Sequence, residues 1–316
     1  MINILKTYSK LFLLRHVEEV ISKKYNEGKM RCPTHLSIGQ EGISAIFANL
    51  VNKKDYAISM HRPHAHYLAK GGNLTSMICE LYGKENGCSK GRGGSMHLID
   101  ERVRFMGSTS ILGNNIPIGI GIALSAKIKK KSAITFIFLG DASVEQGSFY
   151  ESLNFAAVNN LKVVFICENN DFSVYSDLKS RQPSKRKIYK LASSIGVNAD
   201  YSNGLNIQEI NVKMKKAIKF VNINHKPFFL EIKTARWLEH CGPNDDSDLG
   251  YRSITKLNKW KKNDFLKELK SKLKKKTKKV KNIENKIRKE VIKAFKIAEN
   301  SKFPKYKELF SGIYEK

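Results

Sequence analysis

The sequence predicts an α/β protein built on a doubly wound parallel sheet with flanking helices, followed by a lysine-rich helical C-terminal tail. Two segments, SAITFIFLG at 132–140 and LKVVFICENN at 161–170, are short, almost entirely apolar and end in polar residues, as buried parallel strands do. The stretch between them, EQGSFYESLNFAAVNN, has a helical pattern. Together they form a strand–helix–strand unit whose crossover is expected to be right-handed, with sites at the carboxyl ends of the strands.

Segments on either side of this unit continue the alternation of helix and strand. Amphipathic patterns predict helices over 8–26 and 42–49, and a helix around 207–221 precedes a third apolar strand at 226–236. Between the second helix and residue 100 lie two connections rich in glycine and histidine, HRPHAHYLAKGG and GCSKGRGGSMH. Because binding residues are concentrated in loops that a rigid scaffold positions, we expect the site to include these connections.

Length and composition predict one large domain over 1–251 and a basic helical extension over 252–316 that packs on or beside it. The 316 residues contain no apolar run long enough to cross a membrane, and the charged N-terminal segment lacks a signal-peptide cleavage site. We therefore expect a cytoplasmic protein without membrane contact. Five cysteines without CxxC spacing predict free thiols rather than disulfides or a zinc site.

The net charge of +28 is concentrated at the C-terminal end of the chain. Residues 252–316 hold 23 Lys and Arg against 7 Asp and Glu, and apolar residues recur there at helical spacing. This pattern favours amphipathic helices with a solvated lysine face. Nucleic-acid binding by this tail is the alternative, and it is disfavoured because arginine is scarce and aromatic residues are not interleaved with the basic run.

Polar residues follow both central strands at the point where each strand ends. Gly140, Asp141 and Ala142 come directly after the first strand, and after 26 further residues Asn169 and Asn170 follow the second. Carboxylate and amide oxygens that meet at one sheet edge suit magnesium, and a helix that starts near Ser143 would direct its positive end at a phosphate; Gly140 is expected to permit a tight exit from the strand. The alternative is that Asp141 only caps that helix and the Asn pair only turns the chain.

This motif resembles the thiamine-diphosphate motif, in which Gly-Asp-Gly precedes a similar gap and paired asparagines; Ala142 replaces the last glycine. Segments over about 8–252 also resemble, in order, the alpha subunits of pyruvate, branched-chain and acetoin dehydrogenase components. The matching segments are HLSIGQEG at 35–42, MHRPHAHYLAKGG at 60–72, MICELYGKENGCSKGRGGSMH at 77–97, ILGNNIPIGIGIALSAK at 111–127 and GDASVEQGSFYESLNFAAVNNLKVVFICENN at 140–170.

The resemblance implies cofactor and metal ligands. Magnesium would be held by the side chains of Asp141 and Asn170 and by the backbone oxygen of Phe172, and Arg62 would contact the diphosphate. His61 stands where the family commonly has tyrosine, so the donor at that position, and its charge, are expected to differ. The remaining cofactor-binding residues implied by the resemblance are Ser110 and Leu112 around the aminopyrimidine, Ala142, and His240 at the phosphate.

The resemblance also implies catalytic roles for His35, His64 and His240. His64 belongs to an HxxHxH cluster at 61–66, for which metal binding is a weaker alternative because no cysteine or carboxylate accompanies the histidines. Around His240 the family commonly has HGHS, whereas this sequence has Leu238, Glu239 and Cys241 at the neighbouring positions. The substrate side of the pocket is therefore expected to depart from the common pattern.

By this resemblance the chain would bind thiamine diphosphate and magnesium and would be the alpha subunit of a heteromeric two-oxo-acid dehydrogenase component. A partner beta subunit would supply the catalytic glutamate, and a lipoyl-bearing acyltransferase would accept the acyl group from a pyruvate-like acid. The chain alone would be inactive. A specialised ligase that delivers a two-carbon unit to a sugar or another carbonyl acceptor is the alternative, and a nucleic-acid or scaffold protein on a disused cofactor fold is a more remote one.

Overall fold

A six-stranded, fully parallel sheet forms the centre of the protein in the computed structural model, which describes residues 1–30, 32–312 and 314. The strand order is β2-β1-β3-β4-β8-β7, so consecutive strands are not always neighbours and the chain crosses over repeatedly. A separate two-stranded hairpin, β5-β6, is antiparallel. The strands are β1 Tyr56–Ser59, β2 Phe105–Ser108, β3 Thr135–Gly140, β4 Val163–Asn169, β5 Phe172–Ser173, β6 Ser176–Asp177, β7 Asn198–Ser202 and β8 Phe228–Lys233.

Helices surround the sheet and make up most of the C-terminal region. The α-helices are α1 Ile4–Tyr25, α2 Glu41–Leu50, α3 His64–Lys70, α4 Leu74–Leu81, α5 Asn115–Ile128, α6 Gly147–Val158, α7 Leu178–Arg181, α8 Ile188–Ser194, α9 Ile207–Asn224, α10 Ile254–Lys262, α11 Phe265–Lys272 and α12 Thr277–Asn300. Short 3-10 helices cover Gly94–Met96, Glu101–Val103, Asp141–Glu145, Ser247–Leu249, Lys274–Lys276 and Tyr306–Phe310.

The sheet separates two apolar cores, as the predicted doubly wound arrangement requires. One core contains side chains of α5, α6 and α8 against one face, including Ile116, Phe149 and Ala192. The other contains side chains of α1, α2, α9 and the C-terminal helices, including Leu11 and Phe295. Because the side chains of each strand alternate between these faces, both sides of the central strands are buried. The prediction of a doubly wound parallel sheet with flanking helices is confirmed.

The C-terminal tail is helical, as predicted, and α12 packs against α4 and α1. Its buried residues fall on one face of the helix, and Val291 and Phe295 are 0% and 2% exposed. The hydroxyl group of Tyr8 donates a hydrogen bond of 2.5 Å to Glu284 and connects α1 to α12. None of the helices in the described part of the chain has the length and apolar character that a membrane crossing requires. All five cysteines are free thiols, as predicted.

Two local predictions about the first strand end are wrong. The chain does not enter an α-helix near Ser143, because a 3-10 helix over Asp141–Glu145 comes first and α6 begins at Gly147. Gly140 does not need to be glycine for a tight exit, because its backbone is extended, with φ −92° and ψ 167°. A Cβ atom there would meet the Met60 sulfur at 3.5 Å, which is an ordinary contact.

Candidate active site

A cavity of about 250 Å³ opens at the carboxyl edge of the sheet, beside the ends of β3 and β4. Parallel pairing aligns Gly140 of β3 with Glu168 of β4, so the residues that follow each strand emerge side by side. Among the predicted site residues, those that line the cavity are His35, His61, Arg62, Ser110, Leu112, Asp141, Ala142, Asn170, Phe172 and His240. Residues that are separated by up to about 200 positions in the sequence therefore meet in one place.

Asp141 is one of two buried carboxylates that line this cavity, with 2% of the residue exposed. One carboxylate oxygen accepts a hydrogen bond from the Asn170 backbone N–H at 3.3 Å, and the other accepts one from Arg181 Nη2 at 2.5 Å. Burial raises the pKa of Asp141 to about 6, although the Arg181 guanidinium opposes the shift. A carboxylate in this setting is stabilised by a further cation, so its chemistry fits a metal ligand.

Only one of the two adjacent asparagines reaches the cavity. The Asn170 amide donates to the Gln40 side chain at 3.2 Å, and its carbonyl oxygen accepts the Phe172 N–H at 3.0 Å, which leaves that oxygen a second lone pair. Asn169 is turned the other way, since its amide donates to Glu231 at 2.7 Å. Asp141, Asn170 and Phe172 all line the cavity and lie next to one another, and their carboxylate, amide and backbone oxygens are a suitable donor set for magnesium.

Arg62 provides a buried positive charge on the cavity wall and is only 3% exposed. Its guanidinium donates to the backbone oxygens of Leu36 at 2.5 Å and His240 at 3.1 Å. It forms no ion pair with any carboxylate of the described residues. Burial, together with the neighbouring Arg236, lowers the pKa of Arg62 to about 10. An anionic group in the cavity would relieve this unfavourable burial of charge.

Three histidines form a cluster on the same wall. The ring centroids of His35 lie 4.8 Å from His61 and 4.9 Å from His240, and those of His61 and His240 are 5.3 Å apart. Burial and the Arg62 charge lower the pKa values of His35, His61 and His240 to about 2, 3 and 4, so all three rings are neutral at physiological pH. The buried His35 Nδ1 has no hydrogen-bond partner among the described residues.

The geometry of this cluster is compatible with a metal ion, because one ligand atom of each ring lies within 4.8 Å of the others. The same Arg62 charge that lowers the histidine pKa values also repels a bound cation. Hydrogen bonding to an anionic or neutral ligand suits these rings better than metal ligation. The structure therefore favours a cofactor or substrate contact for His35, His61 and His240.

His64 does not reach the cavity, in disagreement with its predicted catalytic role. Its ring is fully buried, with one nitrogen 3.1 Å from Glu18 Oε1 and the other 2.8 Å from Ser95 Oγ. His66, the third member of the HxxHxH cluster, lies between Ser59 at 2.8 Å and Glu168 at 2.9 Å. Both rings are fully engaged in hydrogen bonds within the core, so the cluster does not converge on one metal, and their placement indicates a structural function.

The sequence interpretation missed three polar residues that lie near the predicted metal ligands. Arg181, at the end of α7, binds Asp141; Gln40 contacts Asn170; and the Gln40 amide also donates to the cavity residue Glu168 at 3.2 Å. Gln40 lies in the segment HLSIGQEG and Glu168 directly precedes Asn169, whereas Arg181 lies outside every segment that carries the resemblance. The contacts of all three depend on how separate elements pack, so they could be obtained only from the folded structure.

The cavity meets the chemical requirements of a magnesium-bound diphosphate. Oxygen donors lie at one end, a buried guanidinium lies on the wall, and neutral imidazoles with hydrogen-bonding capacity lie beside it. Ser110 and Leu112, from the loop between β2 and α5, complete the lining. The set fits a phosphorylated cofactor with a polar heterocycle.

Comparison with known proteins extends over nearly the whole chain. Residues 9–307 match the family described as "Dehydrogenase E1 component". The chain is 34% identical over 314 residues to "Pyruvate dehydrogenase E1 component subunit alpha" of Rickettsia bellii, covering 98% of this chain and 95% of that protein. It is 35% identical over 314 residues, with the same coverage, to the protein of that name from Rickettsia felis. It is 31% identical over 322 residues to "Pyruvate dehydrogenase E1 component subunit alpha-1, mitochondrial" of Arabidopsis thaliana, covering 99% of this chain and 80% of that one. The chain belongs to the dehydrogenase E1 component family.

Proposed function

We propose that this chain is the alpha subunit of a thiamine-diphosphate-dependent dehydrogenase component that decarboxylates a pyruvate-like two-oxo acid and passes the acyl group to a lipoyl carrier. The observation that carries the proposal is the single cavity that contains every predicted cofactor and metal residue. Relatives named as pyruvate dehydrogenase alpha subunits, similar over 98% of the chain, support it. We infer a cytoplasmic location for the assembly.

The residues of this chain bind and orient the cofactor. Asp141, Asn170 and the Phe172 carbonyl would hold magnesium, and Arg62 would bind the diphosphate through its fork of N–H donors. Leu112 would support the bent conformation of the cofactor. When bound, thiamine diphosphate supplies the electron sink that stabilises the carbanion left by decarboxylation. The buried walls of the cavity exclude water from this chemistry.

Neutral histidines are suited to hydrogen bonding and proton transfer beside the reacting atoms. His35 and His240 have low pKa values because burial and Arg62 destabilise their charged forms. A bound anion would offset the Arg62 charge and raise both pKa values, so each ring could then accept a proton and return it. The unpartnered Nδ1 atom of His35 is available for such a contact.

Among the residues that the structure describes, none places a free carboxylate in the cavity to activate the cofactor. The two acids that line the cavity are Asp141, which would bind magnesium, and Glu168, which contacts His66 and Gln40. We therefore infer that a partner beta subunit supplies the catalytic glutamate and that the site is complete only at the interface between the two chains.

A second function fits one feature of the cavity. His61 replaces the tyrosine that is common in the family, and Leu238, Glu239 and Cys241 replace the residues usually found around His240. Of these residues, His61 lines the cavity, and the other three flank the lining residue His240. These changes favour, as an alternative, a ligase that delivers a two-carbon unit to a sugar or another carbonyl acceptor.

The decisive experiment measures release of labelled carbon dioxide from pyruvate by this chain coexpressed with its beta subunit, with thiamine diphosphate and magnesium. We expect activity in the complex, none with either chain alone, and loss of activity in Asp141→Ala. Glu145→Gln is the matched control, because Glu145 contacts the same Arg181 at 2.5 Å but does not line the cavity.

Reduction of a lipoyl acceptor by the active complex would support the dehydrogenase, whereas transfer only to an aldehyde or ketone acceptor would support the ligase. Cofactor binding without decarboxylation of pyruvate would refute pyruvate as substrate and direct the search to other oxo acids. A complex that binds no thiamine diphosphate would refute the proposed function.

A further inference from the structure

A second cavity, of about 420 Å³, lies on the other side of the segment that carries the magnesium ligands. It shares Asn170 and Phe172 with the first cavity and is closed by the 177–187 region, the segment that follows β8, and α10. Its lining is strongly basic, with two acids, Asp171 and Asp177, against seven cationic residues. These are Lys179, Arg186, Lys187, Lys233, Arg236, Arg252 and Lys256.

Two of the arginines are buried and incompletely compensated. Arg236 is 2% exposed and Arg252 is 8% exposed, and both contact the same carboxylate, Asp246. The Nε–H group of each is buried without an acceptor in the described part of the chain. One carboxylate therefore offsets two guanidinium charges, so this part of the cavity wall carries excess positive charge.

Four further cations around this cavity are not engaged with other protein groups. The side chains of Lys179, Arg186, Lys187 and Lys256 make no hydrogen bond or ion pair to any described residue, whereas Lys233 is held by Asn169 and Asp171. Arg186 is half-buried, which restricts its guanidinium to the neighbourhood of the cavity. The positive charge is therefore available to a ligand from solution.

Aromatic rings lie in the same cavity as the cations. Tyr251 and Trp260 contribute to the lining, and Tyr251 meets Phe172 edge to face with ring centroids 5.4 Å apart. The Tyr251 ring also lies beside the guanidinium groups of Arg236 and Arg252, 5.7 and 5.6 Å from its centroid. A lining that combines aromatic residues with cationic groups suits a ligand that joins a heterocyclic ring to phosphate. The volume is in the range that small-molecule sites occupy.

We propose that this cavity binds a phosphorylated ligand with an aromatic ring, of the nucleoside diphosphate class, with its phosphates on Arg186 and Lys187 and its ring beside Tyr251 and Trp260. The observations that carry it are the excess positive charge of the lining, its four cations without partners among the described residues, and the aromatic residues of the same lining. The proposal does not depend on the function proposed above, because it uses neither the thiamine assignment nor the substrate.

The test uses the complex with the beta subunit, saturated with thiamine diphosphate and magnesium, and ADP as the probe in isothermal titration calorimetry. We expect ADP to bind, and Arg186→Ala with Lys187→Ala to weaken binding roughly tenfold or more, since each removes a charge-assisted hydrogen bond. The matched control is Lys185→Ala with Lys190→Ala, which removes the same charge from exposed positions outside the cavity. We expect the control to change affinity less than about twofold.

Several results would overturn the proposal. These are the absence of ADP binding, equal weakening by the two double variants, and displacement of ADP by added thiamine diphosphate. Inorganic pyrophosphate that binds as tightly as ADP would show that the rings contribute nothing and would reject the aromatic ligand. Binding by the chain alone but not by the complex would assign the cavity to the subunit interface. A complex that binds ADP but lacks decarboxylase activity would refute only the function proposed above.

Discussion

The cavity at the sheet edge buries charged side chains, whereas the C-terminal helices bury apolar side chains and expose charged ones. In the cavity, Asp141, Arg62 and His35 are buried, and burial moves the pKa of each against its charged form. In α12 the buried face is apolar, with Val291 and Phe295 buried, and the lysines of the helix are exposed. Burial of apolar area stabilises a fold, whereas burial of charge destabilises it unless a partner compensates. The first region is thus organised for a ligand and the second for stability.

The largest expected effect concerns stability and tests the C-terminal region. Phe295→Ala removes a buried ring that packs edge to face against Tyr82, with centroids 6.1 Å apart. We expect the free energy of unfolding to fall by about 3–5 kcal/mol, measured by urea denaturation. Ile292→Ala is the control, because Ile292 is 65% exposed on the same helix; it is expected to cost less than about 0.5 kcal/mol. Equal losses in both variants would contradict the assigned faces of α12.

The next largest effect concerns the cavity, and it is expected in cofactor affinity instead of in the stability of the fold. Asp141→Asn keeps the shape of the side chain but removes the charge that magnesium requires. We expect the magnesium-dependent affinity for thiamine diphosphate to fall roughly 100-fold or more, because a metal ligand is lost. Retained magnesium-dependent binding in this variant would refute the ligand assignment.

The pH dependence of magnesium binding tests whether the cavity buries charge at a cost, in contrast to the apolar packing of the tail. The folded pKa of Asp141, about 6, lies above its usual value of 3.8, so the folded state holds the proton more tightly than the unfolded state. For the unliganded chain this contribution to stability is present below about pH 3.8 and is lost as the pH rises through about 6. Magnesium must displace the proton, so its affinity is expected to fall about tenfold per unit below pH 6. Titrations between pH 5 and 8 that show no such fall would contradict the burial effect.

The comparison also explains what the sequence could predict. The strands β3, β4 and β8 were predictable because both of their faces are buried, so the sequence there is a continuous apolar run. The strands β1, β2 and β7 were not predicted, because they are four or five residues long and β7 reads Asn-Ala-Asp-Tyr-Ser. Short, polar strands lack the periodic pattern on which prediction relies.

Some residues of the site were likewise predictable from the sequence, and others were not. Asp141 and Asn170 were predictable, because parallel pairing brings the residues after adjacent strands to one edge, whatever else the chain does. Arg181 and the actual partners of His64 were not, because their contacts depend on how separate elements pack. Local sequence patterns specify strand ends, but they do not specify side-chain contacts between elements that are distant in the chain.

A smaller effect is expected from His61→Tyr, which restores the residue common in the family. Because burial lowers the pKa of His61 to about 3, the exchange replaces one neutral donor with another. We expect the dissociation constant of thiamine diphosphate to change by less than about tenfold, the range of one exchanged hydrogen bond, and its pH profile to stay unchanged above pH 5. His225→Tyr, at an exposed position, is the control. Loss of a pH-dependent step near neutrality would show that His61 carries a charge when the cofactor is bound.

The smallest expected effect tests whether the exposed lysines have a function beyond solvation. Lys274, Lys275 and Lys276 form an exposed 3-10 turn before α12, and changing all three to glutamine removes no buried contact. We expect the unfolding free energy to change by less than about 0.5 kcal/mol and cofactor affinity to stay constant.

A nucleic-acid function of the tail would give a different result. DNA affinity of the full chain would fall steeply with salt, and the triple variant would reduce the slope of log affinity against log salt by about 0.9 per lost phosphate contact. Because the lysines extend over the helix exterior without interleaved aromatic rings, we expect no such salt-dependent binding and assign their charge to the solvated face of the tail.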